Sequence, residues 1–161
     1  MREPEIITAA DLAALSVRAR EARRRRTHRN LHAAFDEPVQ RFLIAAEPDT
    51  YFPPHRHADK PWEMVVLVQG AVDVLMFSDD GVLQRRMPLR SDGDRMIQYP
   101  AGTFHSVVVA EPGTVVLEIK EGPYVAERDK QMPPWGADEG SPEASARLER
   151  LKVLQPGDRL G

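Results

Sequence analysis

Residues 63–81 read EMVVLVQGAVDVLMFSDDG, and this stretch decides the fold. It contains two short apolar runs, Glu63–Gln69 and Ala71–Phe77, which are rich in valine and meet at Gly70. Short runs of this kind, bounded by glycine and turn residues, are typical of β-strands. The sequence SDDG over residues 78–81 is a hairpin turn signal. The stretch therefore predicts two consecutive strands and a turn that leads to a third.

Similar runs continue on both sides of this stretch. Glycine, proline and aspartate punctuate the chain between them. The further predicted strands are Val39–Ala46, 82–89, 95–100, 104–110 and 114–120. Closely spaced short strands with such turns indicate an all-β sandwich or barrel.

Segments without strand periodicity flank the predicted strands. Thr8 followed by Asp11 is a helix start signal, because the threonine side chain can cap free backbone N–H groups. We predict an amphipathic helix from there to about Arg24, with the arginine run at 23–26 as its solvated end. Residues 142–152 predict a short terminal helix with proline in its first turn.

One domain is expected from a length of 161 residues. We divide it into an N-terminal helical extension (1–30), a barrel (31–124) and a C-terminal wrapping segment with a short helix (125–161).

Composition excludes several classes of protein and of site. The chain is 42% hydrophobic and 29% charged, as in ordinary globular proteins. A formal net charge of -3 argues against nucleic-acid binding, and no apolar run approaches the length of a membrane span. The absence of cysteine excludes disulfides and thiolate ligands. The charged start of the chain lacks the apolar core of a signal peptide, so a cytoplasmic location is expected.

Three of the five histidines lie where a metal site requires them. In PPHRHADKPWE, residues 53–63, His55 and His57 are two residues apart, so an extended backbone directs both imidazoles to the same side. Glu63 begins the next strand, and adjacent strands lie about 4.8 Å apart. His105 follows the turn PAG at the start of another strand. These four side chains are predicted to bind one metal ion, at about 2.1 Å from each imidazole nitrogen.

This arrangement resembles the two sequence motifs of the cupin superfamily. The first has a His-x-His pair, then a Glu, then a Gly; the second has Gly, then Pro-x-Gly, then His. The corresponding residues here are His55, His57, Glu63 and Gly70, and then Gly93, Pro100, Gly102 and His105. The resemblance implies a small all-β barrel of the cupin type, also called a double-stranded β-helix or jelly roll. Five residues separate His57 from Glu63, more than is usual, which keeps Asp59 as an alternative ligand.

A closer resemblance, over residues 27–140, is to the WbuC type of cupin metalloprotein. The shared elements are Asn30 and His32, the Val-Gln-Arg strand at 39–41, the Gly-Pro-Tyr at 122–124, and the pair Asp129 and Lys130. The resemblance implies a metal-binding cupin associated with polysaccharide gene clusters, often those of lipopolysaccharide O-antigen. It also makes Asn30 and His32 candidates for ligand binding.

Residues near the predicted metal give further candidates for substrate contact. Gln40 and Arg41 lie on opposite faces of a strand, so only one of them can face the interior. An inward arginine would clamp a carboxylate or phosphate. The remaining candidates are Lys120 and Tyr124 for ligand binding, and Glu63 and Tyr99 for catalysis. The expected ligand is a small molecule, anionic or carbohydrate.

The predicted site is compatible with three functions. Its mixed nitrogen and oxygen ligands suit one divalent iron, zinc, manganese, nickel or cobalt ion. The first hypothesis is a metal-dependent isomerase, epimerase or lyase that acts on a sugar or sugar nucleotide in polysaccharide (O-antigen) biosynthesis. The alternatives are an iron(II) dioxygenase acting on a small organic acid or thiol, and a non-catalytic carbohydrate-binding or regulatory module. Exposed strand edges favour a homodimer.

Overall fold

Two antiparallel sheets and three helices make up the part of the chain that the computed structural model describes, residues 4–161. The strands are β1 Arg26–Asn30, β2 Val39–Ala46, β3 Glu63–Gln69, β4 Ala71–Phe77, β5 Leu83–Arg90, β6 Met96–Tyr99, β7 Phe104–Val109 and β8 Thr114–Glu121. The helices are α1 Ala9–Glu21, α2 Ala126–Asp129 and α3 Ala144–Val153. The first sheet has the strand order β1-β2-β8-β3-β6, and the second has the order β5-β4-β7.

The two sheets face each other across an apolar core, as the strand periodicity requires. Along β3, Val65 and Leu67 point inward and are each 2% exposed. They meet Val72 and Val74 of β4, which come from the opposite sheet. Because successive side chains of a strand alternate between faces, the other face of each sheet needs a separate cover.

Helices supply that cover on both outer faces. Helix α1 packs Leu15 and Ala19 against the first sheet, in a cluster that includes Leu43. Helix α3 packs Leu148 and Leu151 against the outer face of the second sheet. The result is a four-layer arrangement in which a helix covers the outer face of each sheet.

The expected closed barrel is not what the structure shows. Within residues 4–161, β1 and β6 are the edges of the first sheet, while β5 and β7 are the edges of the second, and no ladder joins these edges. The segment between β2 and β3 contributes only isolated bridges, one of which pairs His55 with His105. The architecture is therefore a cupin-like β-sandwich of two antiparallel sheets.

The predicted helix start is confirmed, but the arginine run differs from the prediction. Thr8 accepts a hydrogen bond from the Asp11 N–H, and the Asp11 side chain accepts from Thr8 in return, which is a capping box. Helix α1 ends at Glu21, and Arg25 has a φ of 57°, which is incompatible with a continuing helix. Arg26 then begins β1, so the run is not the end of the helix.

Strand β1 and helix α3 lie near the two ends of the chain. Strand β1 pairs with β2. The first sheet therefore includes part of the segment 1–30, which was predicted to be helical. Residues 1–3 of that segment lie outside the described part of the chain. Helix α3 lies close to its predicted position, and the short α2 was not predicted. In residues 4–161, no helix has the length and apolar character needed to cross a membrane.

Candidate metal centre

Three histidines and a glutamate meet at one end of the space between the sheets. Glu63 begins β3 in the first sheet, and His105 lies on β7 in the second. His55 and His57 belong to the segment between β2 and β3. His55 and His105 are tied together by reciprocal backbone hydrogen bonds of 3.0 and 2.8 Å. The strands and this bridge therefore bring side chains that are distant in sequence to one point.

Each imidazole is held by a hydrogen bond at its outer nitrogen. The Nδ1 atoms of His55 and His105 lie 2.9 Å from the carbonyl oxygens of Pro53 and Thr103, and His57 Nδ1 contacts the carbonyl of Asp129. A carbonyl oxygen can only accept, so each Nδ1 carries the proton. The Nε2 atom of each neutral ring therefore keeps a lone pair, which is the arrangement found in histidine metal ligands.

The inner atoms of the cluster lie close together but form no hydrogen bonds with one another. Glu63 Oε2 lies 3.0 Å from His57 Nε2 and 3.5 Å from His105 Nε2. All three atoms are buried and have no hydrogen-bond partner among residues 4–161. Ligand atoms of His55, His57 and His105 lie within 4.8 Å of one another. A carboxylate facing imidazole lone pairs needs a proton or a cation between them, and the cluster therefore fits a metal ion.

Burial and charge set the protonation of these groups. Burial is the main reason that the pKa of His55 lies well below its ordinary value, and it also lowers the pKa of His105. Burial alone would raise the pKa of Glu63, but His105 and His57 outweigh it and bring the pKa to about 2. These shifts favour neutral imidazoles at His55 and His105 and an ionised carboxylate at Glu63, which are the protonation states that bind divalent transition metals.

Glu63, rather than the alternative Asp59, lies with the histidines. Glu63 is 2% exposed and faces the cluster, whereas Asp59 is exposed. The five-residue spacing after His57 is accommodated by a turn, in which the Lys60 N–H donates to the His57 carbonyl at 3.1 Å.

A charged network on β8 borders the cluster. Lys120 Nζ lies 3.0 Å from Asp129 Oδ1 and 3.6 Å from Glu118 Oε1. Burial, followed by the charge of Glu63, raises the pKa of Glu118 to about 7. Glu118 also has a carboxylate oxygen within 4.8 Å of ligand atoms of His57 and Glu63. The sequence prediction placed Lys120 at the site but not Glu118, although both alternate onto the same face of one strand.

Tyr99 packs against His105 at the edge of the cluster. It pairs with Glu63 in the β3–β6 register, and its ring centroid is 5.0 Å from that of His105. It is 5% exposed, and its hydroxyl has no hydrogen-bond partner within the described residues. Burial and the charges of Glu63 and Glu118 raise the pKa of Tyr99 well above its ordinary value. Its phenol therefore stays protonated at neutral pH.

A cavity of about 480 Å³ leads from the surface to this cluster. Its walls include the metal-site residues His55, Glu63 and His105. Five of the six predicted ligand-binding residues also line it, namely Asn30, His32, Gln40, Lys120 and Tyr124. The volume is in the range of cavities that bind small molecules.

Arg41 is the one predicted ligand-binding residue that does not line the cavity. Gln40 is the one that faces inward from β2, and its side-chain amide donates to the carbonyls of Phe35 and Glu37. Arg41 alternates to the other face and pairs with the Glu37 carboxylate at 2.8 Å. An inward clamp by Arg41 is therefore not present, because the register of β2 turns it away.

Several cavity-lining residues were not predicted. Arg24 and Arg26 come from the arginine run, and both pair with Glu139. Phe35 and Phe42 add aromatic surface. The direction of Phe42 follows from the alternation of β2, but the positions of Phe35 and the arginines depend on loops with no periodic signal.

Comparison with solved structures places the fold among known proteins. KdgF from Halomonas sp. is 18% identical with a TM-score of 0.50, and the match covers 63% of this chain and 82% of that one. SO0799 from Shewanella oneidensis is 17% identical with a TM-score of 0.54, covering 80% and 86%. The capsular polysaccharide assembling protein CapF from Staphylococcus aureus is 15% identical with a TM-score of 0.54, covering 66% and 29%. This chain therefore spans less than a third of the length of CapF, and these low identities show the fold alone.

The fold is a cupin-like β-sandwich, and the cluster is a candidate metal site between its two sheets. Residues 7–89, just over half of the chain, match the family described as Domain of unknown function (DUF6016), and the chain belongs to that family. No curated protein matches the chain.

Proposed function

We propose that this protein is a metal-dependent enzyme that acts on a sugar or sugar nucleotide, in an isomerase, epimerase or lyase reaction. The observation that carries the proposal is the convergence of unpartnered ligand atoms at the inner end of a cavity. A buried metal site that only stabilised the fold would not need an open path from the surface.

One divalent iron, zinc, manganese, nickel or cobalt ion would be held by His55, His57, His105 and Glu63. When bound there, such an ion supplies Lewis-acid polarisation of a substrate carbonyl or hydroxyl. The carbonyl contacts at Nδ1 fix the direction of the three imidazoles, so the chain itself pre-orients the ligands.

Two side chains on β8 would act on the substrate. Lys120 is held by Asp129 and faces the cavity, where its ammonium can orient an oxygen of the ligand. Glu118 lies beside it on the cavity wall and can exchange a proton with a bound substrate. Glu63 would be committed to the metal, and Tyr99 does not line the cavity, so Glu118 replaces both as the candidate for proton transfer.

The sugar specificity is supported by two kinds of resemblance. CapF, which shares the fold, is described as a capsular polysaccharide assembling protein. The WbuC-like sequence features point in the same direction, towards polysaccharide and lipopolysaccharide O-antigen biosynthesis. A cytoplasmic location and a homodimer remain predictions.

The test is turnover by protein reconstituted with each of the five metals in turn. A panel of sugars and sugar nucleotides would be followed by proton NMR for the wild type and for His55→Ala. We expect at least one metal to support turnover, and His55→Ala to abolish it while the circular dichroism spectrum is retained. Met96→Ala is the control that should retain turnover, because Met96 is 62% exposed on β6 and does not line the cavity.

Other outcomes would select the alternatives. Oxygen consumption that requires iron, with a small organic acid or thiol as substrate, would favour the dioxygenase. Metal-dependent binding of a sugar without any product would favour the non-catalytic module. Unchanged turnover in His55→Ala would contradict the proposed role of the cluster.

A further inference from the structure

We propose that the mouth of the cavity is an outer subsite that binds a ring carrying a phosphate. The outer subsite consists of Phe35, Tyr124, His32 and Lys130, all of which line the cavity. The inference rests on the proposed function, because it specifies the part of a sugar phosphate or sugar nucleotide that is held away from the candidate metal centre.

Phe35 and Tyr124 form an exposed aromatic pair on the rim. Phe35 is 57% exposed and Tyr124 is 37% exposed, and their ring centroids are 5.2 Å apart. The Tyr124 N–H donates to the Phe35 carbonyl at 2.7 Å, which fixes one residue relative to the other. Two exposed aromatic rings held in a fixed relation are a surface on which a sugar or nucleobase ring can stack.

The loops that carry this pair are packed tightly together. The Gly122 N–H donates to the Pro38 carbonyl at 2.8 Å. A Cβ atom at Gly122 would lie 1.9 Å from the Glu37 carbonyl oxygen, so only glycine permits this approach. The aromatic pair is therefore largely fixed before a ligand arrives, which lowers the entropy lost on binding.

His32 contributes a buried ring nitrogen to the same region. His32 Nδ1 lies 2.9 Å from the Arg41 carbonyl oxygen and 3.0 Å from the Arg41 backbone nitrogen. The backbone of Arg41 therefore anchors the ring at Nδ1 and leaves Nε2 as its free ring nitrogen. This Nε2 atom is buried, has no partner among residues 4–161, and belongs to a side chain that is 8% exposed. It is available to form a hydrogen bond with a ligand.

Lys130 adds a positive charge to the cavity wall. It is exposed and has no carboxylate within ion-pair distance among residues 4–161, whereas Lys120 pairs with Asp129 at 3.0 Å. Its charge also acts on Glu118 and His55 of the inner site. A cation and a buried, unpartnered imidazole nitrogen beside aromatic rings match an anionic oxygen group attached to a ring. Phosphate is favoured, because a compact ammonium group binds it as a point charge.

The outer subsite is continuous with the inner site. The Phe42 ring centroid lies 6.3 Å from that of His32 and 5.6 Å from Lys120 Nζ. One aromatic wall therefore joins the two regions, so a single extended ligand can occupy both.

Calorimetric titration of the zinc-loaded full chain tests this inference. The probes are uridine diphosphate, glucose 1-phosphate, glucose and inorganic phosphate. We expect at least one of the first two to bind about tenfold more tightly than both glucose and inorganic phosphate. Stronger binding of uridine diphosphate would identify a nucleobase as the stacked ring, and stronger binding of glucose 1-phosphate would identify the sugar.

Variants then assign the binding to the outer subsite. Phe35→Ala should weaken the tighter of the two complexes by about tenfold, while Phe35→Trp, which keeps an aromatic ring, should retain it. Lys130→Gln should also weaken it. The control is Met96→Ala, since Met96 is 62% exposed and lies on the edge strand β6, outside the cavity. Equal affinity in Phe35→Ala and wild type would overturn the inference.

Failure of the outer subsite and failure of the proposed function give different results. Protein that converts a sugar but binds neither phosphorylated ring compound tightly would overturn the outer subsite and leave the proposed enzyme standing. Tight, Phe35-dependent binding without turnover of any sugar would support the subsite and count against the enzyme.

Discussion

The space between the two sheets is built differently at its two ends, although the same strands form both. On β3, Glu63 faces the cavity and Leu67 faces the apolar core. On β7, His105 faces the cavity and Val109 faces the apolar core. The apolar end is filled by side chains that are nearly inaccessible, whereas the polar end keeps a cavity and buried groups without partners.

The apolar end mainly stabilises the protein, whereas the polar end carries the groups available for its chemistry. Buried apolar side chains contribute about 25 cal/mol per Å² removed from water. Buried polar atoms without partners oppose folding, and they persist where a ligand or metal satisfies them. We therefore expect substitutions at the apolar end to change stability, and substitutions at the polar end to change binding.

The largest expected effect is at the apolar end. Leu67→Ala should lower the free energy of unfolding by about 2–5 kcal/mol, because it opens a cavity where Leu67 is 2% exposed. His55→Ala in metal-free protein should cost about 1 kcal/mol, since water can enter the space that its side chain leaves. Urea denaturation of both variants measures this difference. A larger loss in His55→Ala than in Leu67→Ala would remove the distinction between the two ends.

A bound metal should offset the loss of stability that the unpartnered buried groups of the polar end cause. Zinc added to metal-free wild type at 100 times its dissociation constant should raise the free energy of unfolding by about 2.7 kcal/mol. The reason is that only the folded chain brings the cluster together. Thermal unfolding with and without zinc measures the gain. If His57→Ala gained the same stability, zinc would be acting at another place.

The smallest expected effect is at the rim of the polar end. Glu139 pairs with Arg24 at 2.6 Å and with Arg26 at 2.7 Å. Partial burial would raise the pKa of Glu139, but hydrogen bonds and charge from the two arginines leave it below its ordinary value of 4.5. Its contribution is therefore present above pH 4.5 and lost as the pH falls through the lower, folded value.

Because this pair is partly exposed, Glu139→Gln should lower stability by less than about 1 kcal/mol at pH 7. The difference from wild type should shrink as the pH is lowered below 4.5. Denaturation curves at several pH values provide the measurement. A difference that grew on acidification would show that Glu139 is not stabilised as a carboxylate.

The apolar end of the sandwich was the part most open to prediction. Strands β2, β3 and β4 have the predicted bounds, because valine-rich runs ended by glycine leave little choice of secondary structure. The grouping of His55, His57 and His105 also followed from spacing, since alternation and turns fix which way each imidazole points.

The polar end was harder to predict because loops build much of it. Strand β1 has the sequence RTHRN, which lacks apolar alternation because it is a half-exposed edge strand. Phe35 lies in a loop, and its place on the rim depends on a contact with Tyr124 far along the chain. The choice between Gln40 and Arg41 depended on the face that β2 presents, which periodicity alone does not give.

The metal content of the reconstituted and desalted chain is the most direct measurement of the central claim. We predict about one transition-metal ion per chain in the wild type and in Asp59→Ala, and little metal in His57→Ala and Glu63→Ala. Wild-type protein that retains no metal from any of the five ions would contradict the account. Equal metal content in wild type and His57→Ala would also contradict it, because the ion would then lie outside the cluster.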